Sequence, residues 1–200
     1  MTEPVTAITD WILGAFTLAL AWRLRRFWRL AFIAAGVASL AGGVYHAFVL
    51  RLPYWLGESL WKVTVWSIGT AALYLVIAAS TVCLSPRAAR TMSTIALVQW
   101  ITYFLWMFSH DEFVWVIADY APSMICVVVI YAIGYRRQRE AAPFVFAGIG
   151  VAIVAAGVQA SSLQVGAFNH NDIYHLIQMG SMWLLYKGGA AEIGRPEMVS

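Results

Sequence analysis

The sequence predicts an all-α integral membrane protein, a single domain over residues 1–200 built as a bundle of seven transmembrane helices. Of its 200 residues, 62% are hydrophobic and only 12% are charged, whereas charged residues make up about a quarter of an ordinary soluble domain. The apolar residues form long runs, close to the roughly 20 residues that a helix needs to cross the hydrocarbon. Lys and Arg gather in alternate connections between these runs, as expected of a multi-pass protein.

The predicted crossings are seven apolar runs. In chain order they are 8–22, 29–50, 59–82, 91–108, 113–134, 142–162 and 171–187. None alternates apolar and polar residues as a membrane β-barrel does, so we expect helices. Residues that begin or end helices separate the later runs: Ser85-Pro86 precedes the fourth, Gly134 ends the fifth, Pro143 begins the sixth and Gly166 precedes the seventh.

The orientation follows from the basic residues. Eleven of the 13 fall on one side of the predicted membrane, and they are Arg23, Arg25, Arg26, Arg29, Arg87, Arg90, Arg136, Arg137, Arg139, Lys187 and Arg195. Short loops rich in Lys and Arg face the cytoplasm, so we expect the N-terminus outside, the C-terminus in the cytoplasm and a location in the cell (inner) membrane. The net charge of +3 is modest and is accounted for by these loops. Membrane lipids rather than nucleic acid are therefore the expected partners, and the oligomeric state stays open.

Under this orientation the few polar residues collect in the outer half. That half holds every histidine and six of the ten acids: His46, His110, His170, His175, Asp10, Glu58, Asp111, Glu112, Asp119 and Asp172. At about 1.5 Å per residue, several of them lie roughly 6 to 9 Å below the outer boundary. Ionisable groups at membrane depth are costly and indicate a site.

Two local patterns locate the candidate site. In the seventh run Asn171, His175 and Gln178 stand at i, i+4 and i+7 and share one helix face, so we expect a polar stripe that points inward. In the second run Ser39 and His46 are seven residues apart and also share a face.

Several functions fit these residues. Histidines with a carboxylate suit zinc, and zinc generates a hydroxide that would hydrolyse lipid amide or ester bonds near the surface. Asp119 or Asp172 would then be the general base and Lys62 the partner of the oxyanion.

A second hypothesis is a non-catalytic receptor or binder of a lipid or small molecule, in which Lys62, Asp119, Asn171 and Gln178 hydrogen-bond the ligand. A third is a purely structural protein. In that case Lys62 and Asp119 form a buried ion pair and each histidine bonds a neighbouring helix.

The chain also resembles known proteins. The seven helices, His46 in the second run and Asn171-x-x-x-His175 at the start of the last resemble the CREST superfamily, which includes alkaline ceramidases and PAQR receptors. Five further segments resemble an uncharacterised bacterial seven-helix family over nearly the whole chain, a likeness that implies no activity. They are Thr9-Asp10-Trp11, Gly42 to His46, Leu60-Trp61-Lys62, Asp119 to Pro122 and Phe168 to Gln178.

The CREST resemblance implies a zinc ion held by one histidine that ends the second helix and by a His-x-x-x-His pair that opens the seventh. His46 and His175 match two of these ligands, and Glu58 falls near an acidic position that opens the third helix. Asn171 stands where the first histidine of the pair is expected. Either His170 or Asp172 completes the metal site, or the protein keeps the fold and binds without metal.

Overall fold

The protein is all-helical, as predicted. A computed structural model describes residues 3–193, and these residues contain seven α-helices and no β-strand. The helices are α1 (Pro4–Ala21), α2 (Arg26–Phe48), α3 (Tyr54–Cys83), α4 (Pro86–Trp106), α5 (Phe113–Ile133), α6 (Ala142–Gln159) and α7 (His170–Ile193). Each predicted run lies largely within one helix. Arg195, which counts toward the predicted orientation, lies outside the described residues.

Five of the helices, α1, α2, α3, α5 and α6, are long and apolar enough to cross a membrane, which is the composition of a multi-pass membrane protein. Several helices begin before the predicted apolar run, and five of them end one to three residues before the run does. Pro4 and Pro86 occupy the first turns of α1 and α4, where a proline needs no partner for its missing N–H. Both helices therefore begin before the apolar runs at 8 and 91.

Six helices form a closed ring. Neighbours along the ring are α1 and α2, α2 and α3, α3 and α5, α5 and α6, α6 and α7, and finally α7 and α1. The fourth helix, α4, packs mainly against α3 and α5 and does not close the ring. Helix order around the ring therefore follows chain order with α4 left out, and six helices surround the interior.

The ring has two chemically different ends. We call one the histidine end, where α1, α3, α5 and α7 begin, and the other the arginine end, where these helices finish. At the arginine end the carboxylate of Glu192 on α7 accepts hydrogen bonds from Trp28 Nε1 on α2, at 2.8 Å, and from the Tyr131 hydroxyl on α5. These bonds tie three ring helices together at that end.

Glycines set the spacing of α1 and α2. A Cβ on Gly43 would lie 2.4 Å from Trp11 Cδ1 and 3.1 Å from the Ala7 carbonyl oxygen, so the two backbones meet where only hydrogen fits. On α6, by contrast, a Cβ on Gly150 would meet no atom within 4 Å.

We expect the two Gly→Ala substitutions to have opposite effects on stability. Gly43→Ala should destabilise the protein by about 1–3 kcal/mol, the usual cost of overpacking. Gly150→Ala should stabilise it by about 0.5–1 kcal/mol, because alanine loses less backbone entropy in a helix. Thermal unfolding of both variants in detergent measures the difference, and a Gly43→Ala protein as stable as the parent would contradict the close α1–α2 contact.

Candidate functional site

A cavity of about 400 Å³ lies inside the ring, within the range of small-molecule sites. All six ring helices line it and α4 contributes nothing. At the histidine end its wall is polar, with Asp10, Ser39, His46, Gln159, Asn171, His175 and Gln178. Toward the arginine end the wall is apolar, with Ala31, Phe32, Ala35, Ala71, Leu75, Met182 and Leu185. The cavity therefore has a polar end and an apolar end.

The polar stripe of α7 faces this cavity, as its spacing predicts. Asn171, His175 and Gln178 all line it, and they belong to one face of a regular helix. Ser39 and His46 of α2 stand on the opposite wall. Five of the ten candidate site residues named from the sequence therefore meet at one cavity. Their role in binding stays a prediction.

Asp10 of α1 lies in the middle of this group, and the sequence reasoning does not include it among the candidate site residues. It is 5% exposed, it is hydrogen-bonded to Ser39, and its Oδ1 is 3.5 Å from His175 Nε2. Gly42 makes room for it, because a Cβ there would lie 2.6 Å from Asp10 Oδ2. The sequence did contain a signal for Asp10, because it is an acidic residue inside the first apolar run.

The hydrogen bonds of Thr9 limit His175 to two arrangements of its ring proton. The Thr9 hydroxyl oxygen lies 3.0 Å from the Thr6 carbonyl and 2.9 Å from His175 Nδ1. A hydroxyl has one hydrogen, so Thr9 either donates it to the backbone and accepts from Nδ1–H of His175, or donates it to Nδ1. In the neutral ring Nε2 carries a lone pair toward Asp10 in the first case and an N–H in the second.

Asp10 and His175 face each other in either tautomer. Their separation of 3.5 Å is longer than an optimal hydrogen bond. A carboxylate has about four acceptor sites, so Asp10 keeps the capacity to accept a hydrogen bond from a hydroxyl or amine of a ligand.

At the mouth of the cavity His46 is paired with the N-terminal segment. Its Nδ1 lies 2.6 Å from Glu3 Oε2, and the Glu3 amide donates to the His46 carbonyl. Both side chains are partly exposed, at 24% for His46 and 46% for Glu3. His46 therefore stands at the rim, more exposed than His175.

Asp172 does not line the cavity, because its two oxygens serve the start of α7. Oδ2 accepts from the Asn169 amide at 2.8 Å, while Asn169 Oδ1 accepts from the Asp172 amide at 3.1 Å. This reciprocal pair satisfies N–H groups that the first turn leaves open. Asp172 Oδ1 accepts from the Thr6 hydroxyl at 2.7 Å. The geometry assigns Asp172 to a helix cap and to the α1–α7 contact.

The predicted ion pair between Lys62 and Asp119 is wrong. Lys62 Nζ lies 2.6 Å from Asp111 Oδ1 and also donates to the carbonyls of Met107 and His110, so it ties α3 to the loop between α4 and α5. A lysine close to the end of its helix reaches toward the surface in this way.

Asp119 faces α4 instead of the cavity. Its Oδ1 accepts from Gln99 Nε2 at 3.0 Å, and the same amide donates to Ser123 Oγ. Like Lys62, Asp119 is therefore not in the cavity wall where the predicted chemistry would need it.

Two further candidates lie away from the centre of the cavity. Glu58 stands at an exposed turn of α3 and accepts from the Tyr54 hydroxyl. His170 is the first residue of α7, and like Glu58 it is absent from the cavity wall.

The donor set does not fit a zinc site. A catalytic zinc needs three protein ligands within bonding distance of one point. Within residues 3–193, no three side chains of His, Cys, Asp or Glu come together in this way. Zinc stays a prediction from the resemblance.

One family model matches this chain. It covers residues 5–193 and is described as a family of unknown function, DUF6962. No curated protein and no solved structure matches the chain.

Substitutions at neighbouring positions of α7 separate the structural cap from the cavity wall. Asp172→Ala should destabilise the protein by about 1–3 kcal/mol, because it removes a helix cap and leaves the buried Thr6 hydroxyl without its acceptor. Asn171→Ala, in the cavity wall, should change stability by less than about 0.5 kcal/mol. Equal stability of the two variants in thermal unfolding would refute this assignment of Asp172.

Proposed function

Because the chain belongs to the DUF6962 family, whose function is unknown, we propose its function from the site: a membrane protein that binds one small amphiphilic molecule between its helices without metal. The observation that carries this proposal is the cavity with one polar and one apolar end. A molecule with a polar head and an apolar tail matches both walls at once. Catalysis is not part of the proposal, because Lys62, Asp119 and Asp172 are engaged elsewhere.

The charges of the wall define the head of the ligand. The ionisable side chains that line the cavity are Asp10, His46 and His175, together with the phenols of Tyr120 and Tyr174. No Lys or Arg lines it, so a phosphate or carboxylate would find no counter-ion at membrane depth. Asp10 and His175 instead favour a hydrogen-bond donor. The expected head is therefore an uncharged hydroxyl or amide, or an amine.

The lipid phase supplies such molecules. Helices α5 and α6 pack loosely against each other compared with the other ring neighbours. We place the access route between them, open to the hydrocarbon. An amphiphile entering there would keep its apolar part in lipid until the head reaches Asp10.

The proposal includes seven membrane spans, with the histidine end outside the cell membrane. Hydropathy selects five helices, and α7 joins them because its polar face is turned into the ring. α4 packs along α3 and α5 and is long enough to cross, with 21 residues. The arginine-rich connections then lie in the cytoplasm.

Filling the apolar end should abolish binding. Ala35 lines the cavity, so the phenyl ring of Ala35→Phe would occupy the space proposed for the tail. Val37 is 37% exposed on the outside of the ring, so the phenyl ring of the control Val37→Phe would point toward lipid. We expect mass spectrometry of extracts to find a co-purifying amphiphile with the parent protein and with Val37→Phe, and at least tenfold less with Ala35→Phe. An equal amount in all three proteins would contradict the proposed site.

Cysteine labelling tests the orientation. In a background with Cys83→Ala and Cys126→Ala, we expect Ser109→Cys at the histidine end to react with an impermeant maleimide on intact cells. Ala88→Cys at the arginine end should react only after the membrane is permeabilised. The opposite pattern would overturn the proposed orientation, and labelling of both positions on the same side would overturn the proposed crossing of the membrane by α4.

A further inference from the structure

Five polar side chains of the cavity wall use none of their hydrogen-bonding groups within the fold. They are three carboxamides and two phenols: Gln159 on α6, Asn171 and Gln178 on α7, Tyr120 on α5 and Tyr174 on α7. Across residues 3–193, no side chain or backbone group forms a hydrogen bond with any of these five side chains. All five are partly exposed, so each keeps its bonding capacity for a ligand.

The exposed surface of the three carboxamides faces the cavity and not the lipid. On α7 the outer face is marked by Leu176, which is 48% exposed. At about 100° per residue, Asn171 and Gln178 lie about 140° and 160° around the helix from Leu176. On α6, Gln159 lies about 140° from Val154, which is 58% exposed. All three amides line the cavity, as these angles require.

The register of α6 and α7 gives the height of this polar wall. The Ser181 hydroxyl donates to the Gly148 carbonyl at 2.8 Å, so these two residues lie at one level. Counted from that level toward the histidine end, Gln159 and Asn171 are almost equally far along their helices and stand at the same height. Gln178 lies seven residues further into the ring, about 10 Å deeper. The wall therefore carries amides at two levels.

Asp10 lies between these two levels, because it faces His175, which stands between Asn171 and Gln178 on α7. The carboxylate only accepts hydrogen bonds, whereas each carboxamide both donates and accepts. A hydroxyl also does both, so several hydroxyls on one head match the acid and the amides together. A cation would pair with Asp10 and leave the N–H groups of the amides without an acceptor.

We propose that the head of the ligand is an uncharged polyol, with two or more neighbouring hydroxyls, as in glycerol or a sugar, carried on one apolar chain. This rests on the proposed function and narrows the ligand class from any amphiphile to polyol lipids. One hydroxyl donates to Asp10, and the others bond the amides above and below it. The head of a simple alcohol is too small to reach both levels.

Four probes with the same dodecyl chain test this with the full-length protein in phosphatidylcholine nanodiscs. Dodecyl glycerol ether and dodecyl glucoside carry several hydroxyls, dodecanol carries one, and dodecylamine carries a cation. We expect at least one of the two polyols to bind the parent at least tenfold more tightly than dodecanol or dodecylamine, because each added hydrogen bond is worth about fivefold. Titration of the thermal midpoint measures the affinity, with the probe concentration expressed per lipid. The tighter of the two polyols distinguishes a glycerol head from a sugar head.

Leucine at either end of the polar wall should weaken this preference. Gln178→Leu and Asn171→Leu should each reduce the preference for the polyol about fivefold, while both variants bind dodecanol as the parent does. Both should fold, because no hydrogen bond within the protein is lost. Gln164→Leu is the matched control, since Gln164 is exposed between α6 and α7 and lies outside the cavity wall. This variant should keep the full preference.

Three results would overturn the inference alone. They are equal affinity of the parent for the polyols and dodecanol, tighter binding of dodecylamine than of either polyol, and an unchanged preference in both cavity variants. Loss of dodecanol binding in those variants would also count against it, because it would show a general change of the cavity in place of a lost polar contact. If the parent bound none of the four probes, the proposed function would fail as well.

Discussion

The ring depends on the hydrogen bonds between its first and last helices. Thr6 donates to Asp172, and Thr9 meets His175, across a separation of 166 residues in the chain. In hydrocarbon no water is present to satisfy a polar group, so the polar stripe of α7 cannot face lipid. The stripe instead faces the interior of the ring, next to the threonines of α1. A helix that hydropathy alone does not select as a membrane span can therefore be one of the six walls of the cavity.

The cavity follows from how α2 uses its small residues. Gly36 and Gly43 face α1, where a Cβ would collide with Leu18 or Trp11. Ala31, Ala35 and Ala38 line the cavity, and their small side chains leave space on this face of α2. The first face brings two helices together and the second keeps the interior open. Close packing on one side of α2 thus supports an open volume on the other.

Sequence reasoning predicted the features that depend on periodicity and composition. The helical class, each helical segment and the inward stripe of α7 follow from apolar runs and helical spacing. It failed where a side chain's partner lies on a distant helix. Counting residues along the helices put Lys62 and Asp119 at similar depth, but it does not give the direction in which each side chain points around the helix axis. Lys62 pairs with Asp111 and Asp119 with Gln99. Asp172 was a candidate base because its residue type suits that role, and its bonds to Asn169 and Thr6 depend on a loop geometry that spacing does not encode.

Polar residues of this bundle differ in whether their hydrogen-bonding groups are all used. Those that are fully bonded hold the helices together, and those with unused groups are candidates for binding a ligand. Asp172, Lys62 and Asp119 are each bonded to partners that fasten one helix or loop to another. Asp10 differs from them, because it lies in the cavity wall, 3.5 Å from His175 Nε2, and its carboxylate has acceptor sites beyond its bond to Ser39. A buried acid with acceptor sites left over beside a cavity is what a ligand with a hydrogen-bond donor would need.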